Sequence, residues 1–479
     1  MIGLAGGAAA VAAAVAFSPL LPVGLARVAE PHPGINADVL VLAGGAAAAI
    51  LVTVTLTAWP GWRAAARGPL GRPAGPGPAA QASLASRVVT AGPVSLGMGL
   101  RFALRRGAAG SAVPVRSAIA SATVGVAALS AAIVFGGSLS YLLASPALYG
   151  VTWDAMLSNT AGGGLGPALA AIRRDPQVAA WTTAWSGAPL LIGPVQADAI
   201  VLPEPGGASF VPAPVSGRLP RTSREIALGA RTLRAAHARI GETIGVSAAG
   251  GQAHAMTIVG TTVFPTLSDG LDLGTGAQVT PGALRYLLPA AGAVPPADTL
   301  FVRYQPGITV PAGRRALAAR LARSGQRGQF AIDGPATPTD LLNFGQVQDL
   351  PQVLGAGLGA VALLTIGHLL ITSVRRRQRD LAILRVLGFT SWQVRRTLGW
   401  QAVALAGLAL VIGVPAGIIC GRLGWLIFAH QLGITPVVAV PSVELPVLAA
   451  AWLAAAVVIA ALPGEAAARS CPAPVLRSE

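Results

Sequence analysis

Residues 373–396 read SVRRRQRDLAILRVLGFTSWQVRR, a basic segment that lies between two long apolar stretches, 351–373 and 399–420. From Arg375 to Thr397 the segment holds seven Arg and a single acid, Asp380. A helix that crosses a membrane needs about 20 apolar residues, and short Arg-rich loops beside such helices stay on the cytoplasmic side. The segment therefore predicts a cytoplasmic loop between two transmembrane helices.

Four further apolar stretches have the length and composition of membrane spans, which gives about six transmembrane helices in all. They cover residues 3–24, 37–58, 118–144 and 444–462. The composition agrees, because only 11% of the residues are charged and 53% are hydrophobic, whereas about a quarter of a soluble domain is charged. The first stretch lacks the positive n-region and cleavage site of a secretory signal, so we interpret it as a helix.

The net charge of +16 is unevenly distributed along the chain. Eight Arg and no acid lie between Pro60 and Arg116, whereas the central segment 146–350 holds fifteen Arg and twelve acids. Because the excess follows the predicted loops, the positive-inside rule explains it better than a nucleic-acid groove does. We expect a multi-pass plasma-membrane protein with cytoplasmic N- and C-termini, a central segment outside the cytoplasm and no nucleic-acid partner.

The central segment carries a pattern of short strands and helices. Apolar stretches at 199–202, 225–228, 257–263 and 299–302 alternate with helical patterns at 165–174, 230–239 and 312–324. This alternation predicts one mixed α/β domain. The fold class is therefore an α-helical membrane protein of about six transmembrane helices with one extracytoplasmic α/β domain.

The domain organisation follows from the spans and from an internal repeat. Pro60-Gly61 and the following Ala-Arg cluster have a counterpart in Pro463-Gly464, which indicates that the first hairpin is the tail of a truncated first repeat. Leu96, Leu100 and Leu104 indicate a short interfacial helix over 95–106. The predicted parts are a transmembrane hairpin (1–58), an Arg-rich cytoplasmic linker with the interfacial helix (59–116), a transmembrane helix (117–145), the α/β domain (146–350), three transmembrane helices that enclose the cytoplasmic segment 375–397 (351–464) and a cytoplasmic tail (465–479).

Enzyme signatures are weak throughout the sequence. All 34 basic residues are Arg, so the chain has no Lys for a phosphate-binding loop. The five His are scattered without metal-ligand spacing, and Cys420 and Cys471 lie too far apart in the predicted topology to pair. We predict no catalytic residue, no bound cofactor and no metal site, so any ATP that drives this protein is bound by another chain.

Within the basic segment, Leu381, Leu384, Val386 and Leu387 repeat at roughly helical spacing. Gly388 ends this helix, and Thr390 or Ser391 caps the next. Two interpretations remain open from the residues alone. The segment is either a basic anchor on the membrane surface or a short helix that docks into a cytoplasmic partner.

Several motifs resemble one known family, the FtsX-like or MacB-type ABC transporter permeases, particularly their long two-repeat members. They are RFAL (101–104), AVPVRS (112–117), SPALYG (145–150), WD (153–154), GRLP (217–220), EIALG (225–229), IGET (240–243), the segment 375–396 and VLRSE (475–479). Two positions depart from the family pattern, because Glu465 and Ala466 stand where the family tail usually carries two Arg. The resemblance also implies that the first repeat is incomplete.

The resemblance implies a function and a partner. It makes the chain the permease subunit of a transporter driven by a separate cytoplasmic ABC ATPase dimer, with export or extraction of an amphiphilic substrate as its activity. It also implies a second permease chain or a missing N-terminal half as a possible partner. The residues that would contact the ATPase are Arg379, Asp380, Leu381, Ala382, Ile383, Leu384, Arg385 and Gly388.

Two other functions remain open from the sequence. The chain could transmit a signal without transport, by activating an external partner such as a cell-wall hydrolase. It could also be an inactive truncated remnant. The cytoplasmic chemistry would be the same in the signal transmitter, so the sequence does not separate it from an exporter.

Overall fold

The computed structural model of the protein describes thirteen parts of the chain, which are residues 2–17, 42–47, 97, 115–160, 164–201, 210, 214–248, 251–264, 273–288, 296–335, 337–346, 350–376 and 390–469. The chain divides into two compact units. Unit 1 comprises Met1–Ala120, Leu363–Leu408 and Trp452–Glu479, and unit 2 comprises Ser121–Ala362 and Ala409–Ala451.

The described helices range from single turns to long apolar rods. In chain order they are α1 (Ile2–Phe17), α2 (Val115–Ala144), a 3₁₀ turn (Pro146–Tyr149), α3 (Gly166–Ile172), α4 (Ala230–Ala235), α5 (Pro281–Leu287), α6 (Val310–Arg323), α7 (Thr339–Gln346), α8 (Leu350–Arg376), α9 (Ser391–Leu432) and α10 (Glu444–Arg469).

Within the described residues, four helices are long and apolar enough to cross a membrane, and they are α2, α8, α9 and α10. They coincide with the predicted spans 118–144, 351–373, 399–420 and 444–462. The remaining two predicted spans are described only in part, at Ile2–Phe17 and at 42–47, and both parts are helical. The count of six transmembrane helices therefore stays a prediction, and the interfacial helix predicted at 95–106 lies outside the described residues except for Gly97.

Helix α9 is much longer than the apolar stretch that predicted it. It comprises 42 residues, which at about 1.5 Å per residue is roughly twice the thickness of the hydrocarbon core. Pro415 lies inside this helix without ending it, as neighbouring helices permit in membrane proteins. The helix therefore extends beyond the predicted end at residue 420, and its last turns are available to contact the α/β domain.

Ten strands form one sheet in unit 2. They are β1 (Ala155–Asn159), β2 (Val178–Ile192), β3 (Val195–Val201), β4 (Pro214–Gly217), β5 (Glu225–Leu228), β6 (Thr243–Ala248), β7 (His254–Thr262), β8 (Ala277–Val279), β9 (Thr299–Tyr304) and β10 (Phe330–Asp333). Their order is β10-β1-β9-β2-β3-β8-β5-β7-β4, and β6 pairs with β2 and β7.

The sheet has two lobes that share the 15-residue strand β2. The first half of β2 is antiparallel to β9, with Trp181 opposite Val302, and its second half is antiparallel to β3, with Leu190 opposite Ala197. Helices α3 and α6 cover the first lobe, where Leu157 and Leu317 are fully buried. Helix α5 packs against the second lobe, where Ile226 and Ile258 are fully buried. One strand thus links two cores.

The predicted mixed α/β domain is confirmed. The four predicted strands correspond to β3, β5, β7 and β9, and the three predicted helices correspond to α3, α4 and α6. The period-2 and period-3.6 patterns were readable because each lobe buries one face of its strands and one face of its helices.

A third core of unit 2 contains residues from both the long helices and the sheet. Leu142 of α2 and Trp425 of α9 are fully buried there together with Phe301 of β9. Trp153, which follows the 3₁₀ turn, stacks on Phe301 with 4.0 Å between the ring centroids. Because these residues exclude water jointly, the ends of α2 and α9 and the sheet form one packed body.

Candidate coupling site

The predicted contact with the ATPase lies outside the described residues, so its role stays a prediction. Its residues are Arg379, Asp380, Leu381, Ala382, Ile383, Leu384, Arg385 and Gly388.

The structure does describe the helix that begins directly after this segment. The backbone N–H of Thr390 donates to the side-chain oxygen of Gln393 at 2.9 Å, and the Gln393 N–H donates to the Thr390 hydroxyl at 3.4 Å. This reciprocal pair is a capping box. Thr390 is therefore the cap of α9, one of the two residues that the sequence offered for this role.

At its other end, α9 is held by an arginine of the α/β domain, which we call the sheet domain because it is built on the ten-stranded sheet. The Arg234 guanidinium donates to the carbonyl oxygens of His430 and Gln431, both at 2.8 Å. The last carbonyl groups of a helix have no partner within the helix and carry the negative end of its dipole. A cation on these oxygens thus joins α4 to α9 by charge-assisted hydrogen bonds.

Backbone contact between two glycines completes this joint. Gly433 follows the last residue of α9 with φ +75°, and Gly274 of the sheet domain has φ +76°. A Cβ on Gly274 would lie 2.6 Å from the Leu432 carbonyl oxygen, and one on Gly433 would lie 3.1 Å from the Cβ of Ala230. The helix end and the domain backbone therefore meet without a side chain between them. We call Arg234, Gly274 and the segment His430–Gly433 the helix–domain joint.

An aromatic cluster packs around the last turns of α9 beside the joint. Trp425 is fully buried, and its indole N–H donates to the Val437 carbonyl at 2.7 Å. Its ring lies edge-on to Phe135 of α2 with 5.6 Å between centroids, and Phe344 of α7 contacts Phe428 at 5.0 Å. These contacts fix α9 laterally against two other helices.

The connection between α9 and α10 is tied to α2. The Ser138 hydroxyl donates to the Val134 carbonyl at 2.8 Å and accepts the N–H of Ala439 at 3.2 Å. The Thr435 N–H donates to the Leu148 carbonyl at 3.2 Å. The backbone after the joint therefore follows α2 and the 3₁₀ turn closely.

Helices α2 and α9 approach each other along a row of glycines four residues apart. A Cβ on Gly417 would lie 2.5 Å from the Ala127 carbonyl oxygen, and one on Gly421 would lie 2.8 Å from the Ala131 carbonyl oxygen. A Cβ on Gly413 would lie 2.9 Å from the Thr123 carbonyl oxygen. Small residues at this spacing let helix backbones pack closely in lipid, so α2 and α9 form a pair with little freedom to separate.

Two glycines of α8 differ in their surroundings. A Cβ on Gly355 would lie 3.1 Å from the Cα of Leu129 on α2, whereas one on Gly357 would meet nothing within 4 Å. Gly355 is therefore a packing residue of unit 2. Gly357 instead lies on an open side of the helix.

Two of the motifs that carried the family resemblance, GRLP and EIALG, are joined by an ion pair in the sheet domain. The Arg218 guanidinium donates to both carboxylate oxygens of Glu225 at 2.8 and 2.6 Å, and the Arg221 N–H donates to the same carboxylate at 2.8 Å. These hydrogen bonds, of which the one from Arg218 is the strongest influence, lower the pKa of Glu225 from 4.5 to about 2. The pair joins the end of β4 to the start of β5.

Two features of this site were not predicted from the sequence. The glycine row carried a readable signal, because Gly413, Gly417 and Gly421 repeat every four residues inside an apolar stretch. The contact of Arg234 with α9 carried none, since 196 residues separate Arg234 from His430. Among the described residues, no group of three His, Cys, Asp or Glu side chains could hold a metal ion.

Comparison with known proteins places the C-terminal helices in a family. Residues 353–470 match the FtsX-like permease C-terminal family. No curated protein matches the chain.

Two solved structures are similar to part of this chain. One is the crystal structure of the periplasmic region of MacB from Actinobacillus actinomycetemcomitans, with 14% identity and a TM-score of 0.25, and the match covers 39% of this chain and 90% of that one. The other is a domain described as part of a permease from Porphyromonas gingivalis, with 16% identity, a TM-score of 0.25 and coverage of 41% and 95%.

The family assignment rests on the part of the chain that contains α8, α9 and α10. Their match confirms the family resemblance read from the sequence. Residues 353–470 are thus similar to the C-terminal domain of the FtsX-like permeases.

Proposed function

We propose that this permease subunit couples ATP hydrolysis by a separate ATPase to movement of its sheet domain outside the cytoplasm. The observation that carries this proposal is helix α9, which starts shortly after the predicted ATPase contact and ends in the helix–domain joint. It is continuous over 42 residues. A continuous α-helix keeps its backbone hydrogen bonds when pushed at one end, so displacement of the first turn reaches the last.

The helix–domain joint would transmit such a displacement of α9 to the sheet domain. A helix end that touched the domain only through flexible side chains would slide, whereas Arg234 and Gly274 hold the helix end itself. Movement of α9 is thereby a movement of the sheet domain. Small shifts of packed helices that rotate a domain are a common kind of conformational change.

In this proposal the segment from Arg379 to Gly388 receives the ATPase. Apolar Leu381 and Leu384 enter a groove on the ATPase, and Asp380 and Arg385 set the orientation by charge. The ATPase is a dimer that binds the ATP, and this chain binds no cofactor itself.

The membrane topology belongs to the same proposal. The N- and C-termini lie in the cytoplasm, because the Arg-rich loops flank the nearly charge-balanced segment 146–350. Large apolar side chains of α8 such as Val353, Leu354 and Leu358 are 64%, 62% and 52% exposed. In a membrane, such a face contacts either lipid or another protein surface. It is a candidate contact for a second permease chain or an N-terminal half.

In our proposal, the movement of the sheet domain drives export or extraction of an amphiphilic substrate. The alternative is a signal transmitter that activates an external partner such as a cell-wall hydrolase. ATP-dependent movement of amphiphiles in vesicles that contain only this chain and its ATPase supports export. ATP-dependent activation of an external enzyme, without such movement, supports the alternative.

Hydrogen exchange of the complex with its cognate ATPase tests the coupling. Trapping the complex with ATP and vanadate should change amide exchange in the paired strands β2 and β9 and in the segment 425–441. Arg234→Gln should leave ATP hydrolysis in place but reduce the change in the sheet domain, since the clamp on α9 is lost. Arg239→Gln removes the same charge a few residues away and should behave like the unmodified protein.

Two outcomes would contradict the proposal. The first is an ATP trap that leaves exchange in the sheet domain unchanged in the unmodified complex. The second is an Arg234→Gln variant whose sheet domain responds fully, which would remove the joint from the transmission path.

A further inference from the structure

A groove of about 440 Å³ lies in unit 1 between the start of α9 and the last turns of α10. From α9 it is lined by residues three or four apart, among them Trp392, Arg396, Gly399 and Val403. This spacing puts them on one face of the helix. The groove is therefore formed by two facing helix surfaces.

The groove changes chemistry along its length. All four of Arg395, Arg396, Val403 and Val457 line it, and on α9 the two Arg precede Val403 by about two helical turns. The Arg396 guanidinium lies 4.0 Å from the centroid of the Trp392 ring, a cation–π contact that holds the cation over the indole. One end is cationic and aromatic, and the other is apolar.

The change from a cationic to an apolar lining lies where the uncharged stretches of α9 and α10 begin and end. No charged residue lies between Arg396 and Arg422 in α9, or between Glu444 and Glu465 in α10. Arg and Trp concentrate where transmembrane helices leave the hydrocarbon core, because both match the headgroup layer. The charged end of the groove thus lies at the depth of the phospholipid headgroups.

We propose that this groove binds an anionic phospholipid. Its phosphate diester lies on Arg395 and Arg396, and one acyl chain runs along Val403 and Val457. An Arg fork matches phosphate oxygens in a bidentate way, and basic pockets between transmembrane helices are recognised sites for anionic headgroups. A soluble cytoplasmic partner would reach the charged end only and would leave the apolar end unfilled.

Glu465 restricts the headgroup that fits. It lies in the same lining as the two Arg, so these three groups carry a net charge of +1. A single phosphate diester balances this charge, whereas a headgroup with several phosphates would meet the carboxylate. The inference requires only that α9 and α10 span a membrane, and it is independent of the coupling mechanism.

Lipid counting by native mass spectrometry tests the proposal on the full-length chain in detergent, without ATPase. Delipidated protein is titrated with phosphatidylglycerol or with phosphatidylcholine of the same acyl chains. One phosphatidylglycerol should be retained at concentrations where phosphatidylcholine is lost. The double variant Arg395→Gln/Arg396→Gln should lower this affinity at least tenfold, and Arg314→Gln/Arg315→Gln, an equal loss of charge on α6, should leave it unchanged.

Two further arms identify the ligand. Arg395→Lys/Arg396→Lys keeps the charge without the planar fork, so its affinity should lie between those of the unmodified protein and the Gln variant. Inorganic phosphate at millimolar concentration should not displace the lipid, because it makes no contact with the apolar end.

Three results would overturn the proposal. They are a Gln variant that retains phosphatidylglycerol like the unmodified protein, a Lys variant that loses as much affinity as the Gln variant, and displacement of the lipid by phosphate alone. The last result would assign the groove to a free phosphate.

Discussion

At the scale of single residues, the ion pair of Arg218 and Glu225 makes the stability of the sheet domain depend on pH. The carboxylate accepts hydrogen bonds from the Arg218 guanidinium and from the backbone N–H groups of Arg221 and Thr222. The two charge-assisted hydrogen bonds from Arg218 require the ionised form of Glu225, in which both carboxylate oxygens accept. The pair therefore stabilises the folded domain only while Glu225 is ionised.

The first prediction concerns the acid unfolding of this domain. Because the folded pKa of Glu225 is lowered to about 2 from 4.5, its stabilisation is complete above pH 4.5 and is lost as the pH falls towards 2. Glu225→Gln should lower the unfolding temperature at pH 6 and flatten its decline between pH 4.5 and 2. Thermal unfolding of the full chain in detergent measures this.

Glu242→Gln provides the matched control, since it removes a carboxylate from the same domain and leaves the Arg218–Glu225 pair intact. This control should retain the decline of the unmodified protein. An equally steep decline in Glu225→Gln would show that another group is responsible.

At the scale of secondary-structure elements, the packing of α9 against α2 depends on glycines, which have no side chain to separate the two backbones. Three glycines of α9 bring carbonyl oxygens of α2 closer than any Cβ would allow. The same helix also carries glycines with open surroundings, such as Gly424. The two kinds of position therefore predict opposite effects of the same substitution.

The second prediction follows from this contrast. Gly417→Ala should destabilise the protein by about 1–3 kcal/mol, the usual cost of overpacking, because its Cβ would lie 2.5 Å from the Ala127 carbonyl oxygen. Gly424→Ala should be neutral or stabilising by up to about 1 kcal/mol, since alanine is the better helix former. Thermal unfolding of both variants in one detergent compares them, and equal midpoints would contradict the glycine packing.

The third prediction concerns the segment before α9. Leu384→Asp would place a carboxylate in an apolar docking groove, at a cost of several kcal/mol if the groove is dry. We expect loss of co-purification with the cognate ATPase and loss of ATP hydrolysis by the complex. Ser391→Asp, at the capped start of α9, is the control and should behave normally.

A membrane-surface anchor predicts a different outcome for Leu384→Asp. The segment is flanked by two candidate spans in any case, so a weaker surface contact would hardly change activity. A variant that inserts normally and still binds and stimulates the ATPase would favour the anchor and reject the coupling assignment.

At the scale of the whole molecule, the charge distribution predicts the topology. The fourth prediction uses cysteine labelling of whole cells in a background without Cys420 and Cys471. A Cys in place of Ser223, which is exposed on the sheet domain, should react with an impermeant reagent, whereas a Cys in place of Ser83 should react only after lysis. The reverse pattern would invert the membrane orientation.

The fifth prediction concerns the energy source. A chain whose basic residues are all Arg has no lysine for a phosphate-binding loop. The purified chain alone should therefore hydrolyse no ATP, and hydrolysis should appear when the cognate ATPase is added. Turnover by the isolated chain, with contaminating ATPases excluded by a mock purification, would disprove this.

The sequence by itself determined the features that depend on local composition and periodicity. The apolar stretches predicted α2, α8, α9 and α10, because a span must be apolar over its whole length. Alternating patterns predicted the mixed α/β domain, since strands and helices that bury one face repeat with their own periods. The residues of segment 375–396 and the other motifs predicted the permease family.

Only the tertiary structure decided how these elements are joined. The length of α9 was underestimated because its last turns pack against Phe135 and the sheet domain, contacts that the sequence does not reveal. The clamp of Arg234 on His430 and Gln431 joins residues that are nearly two hundred positions apart. Such contacts depend on which surfaces meet after folding, and no local pattern of residue types records that choice.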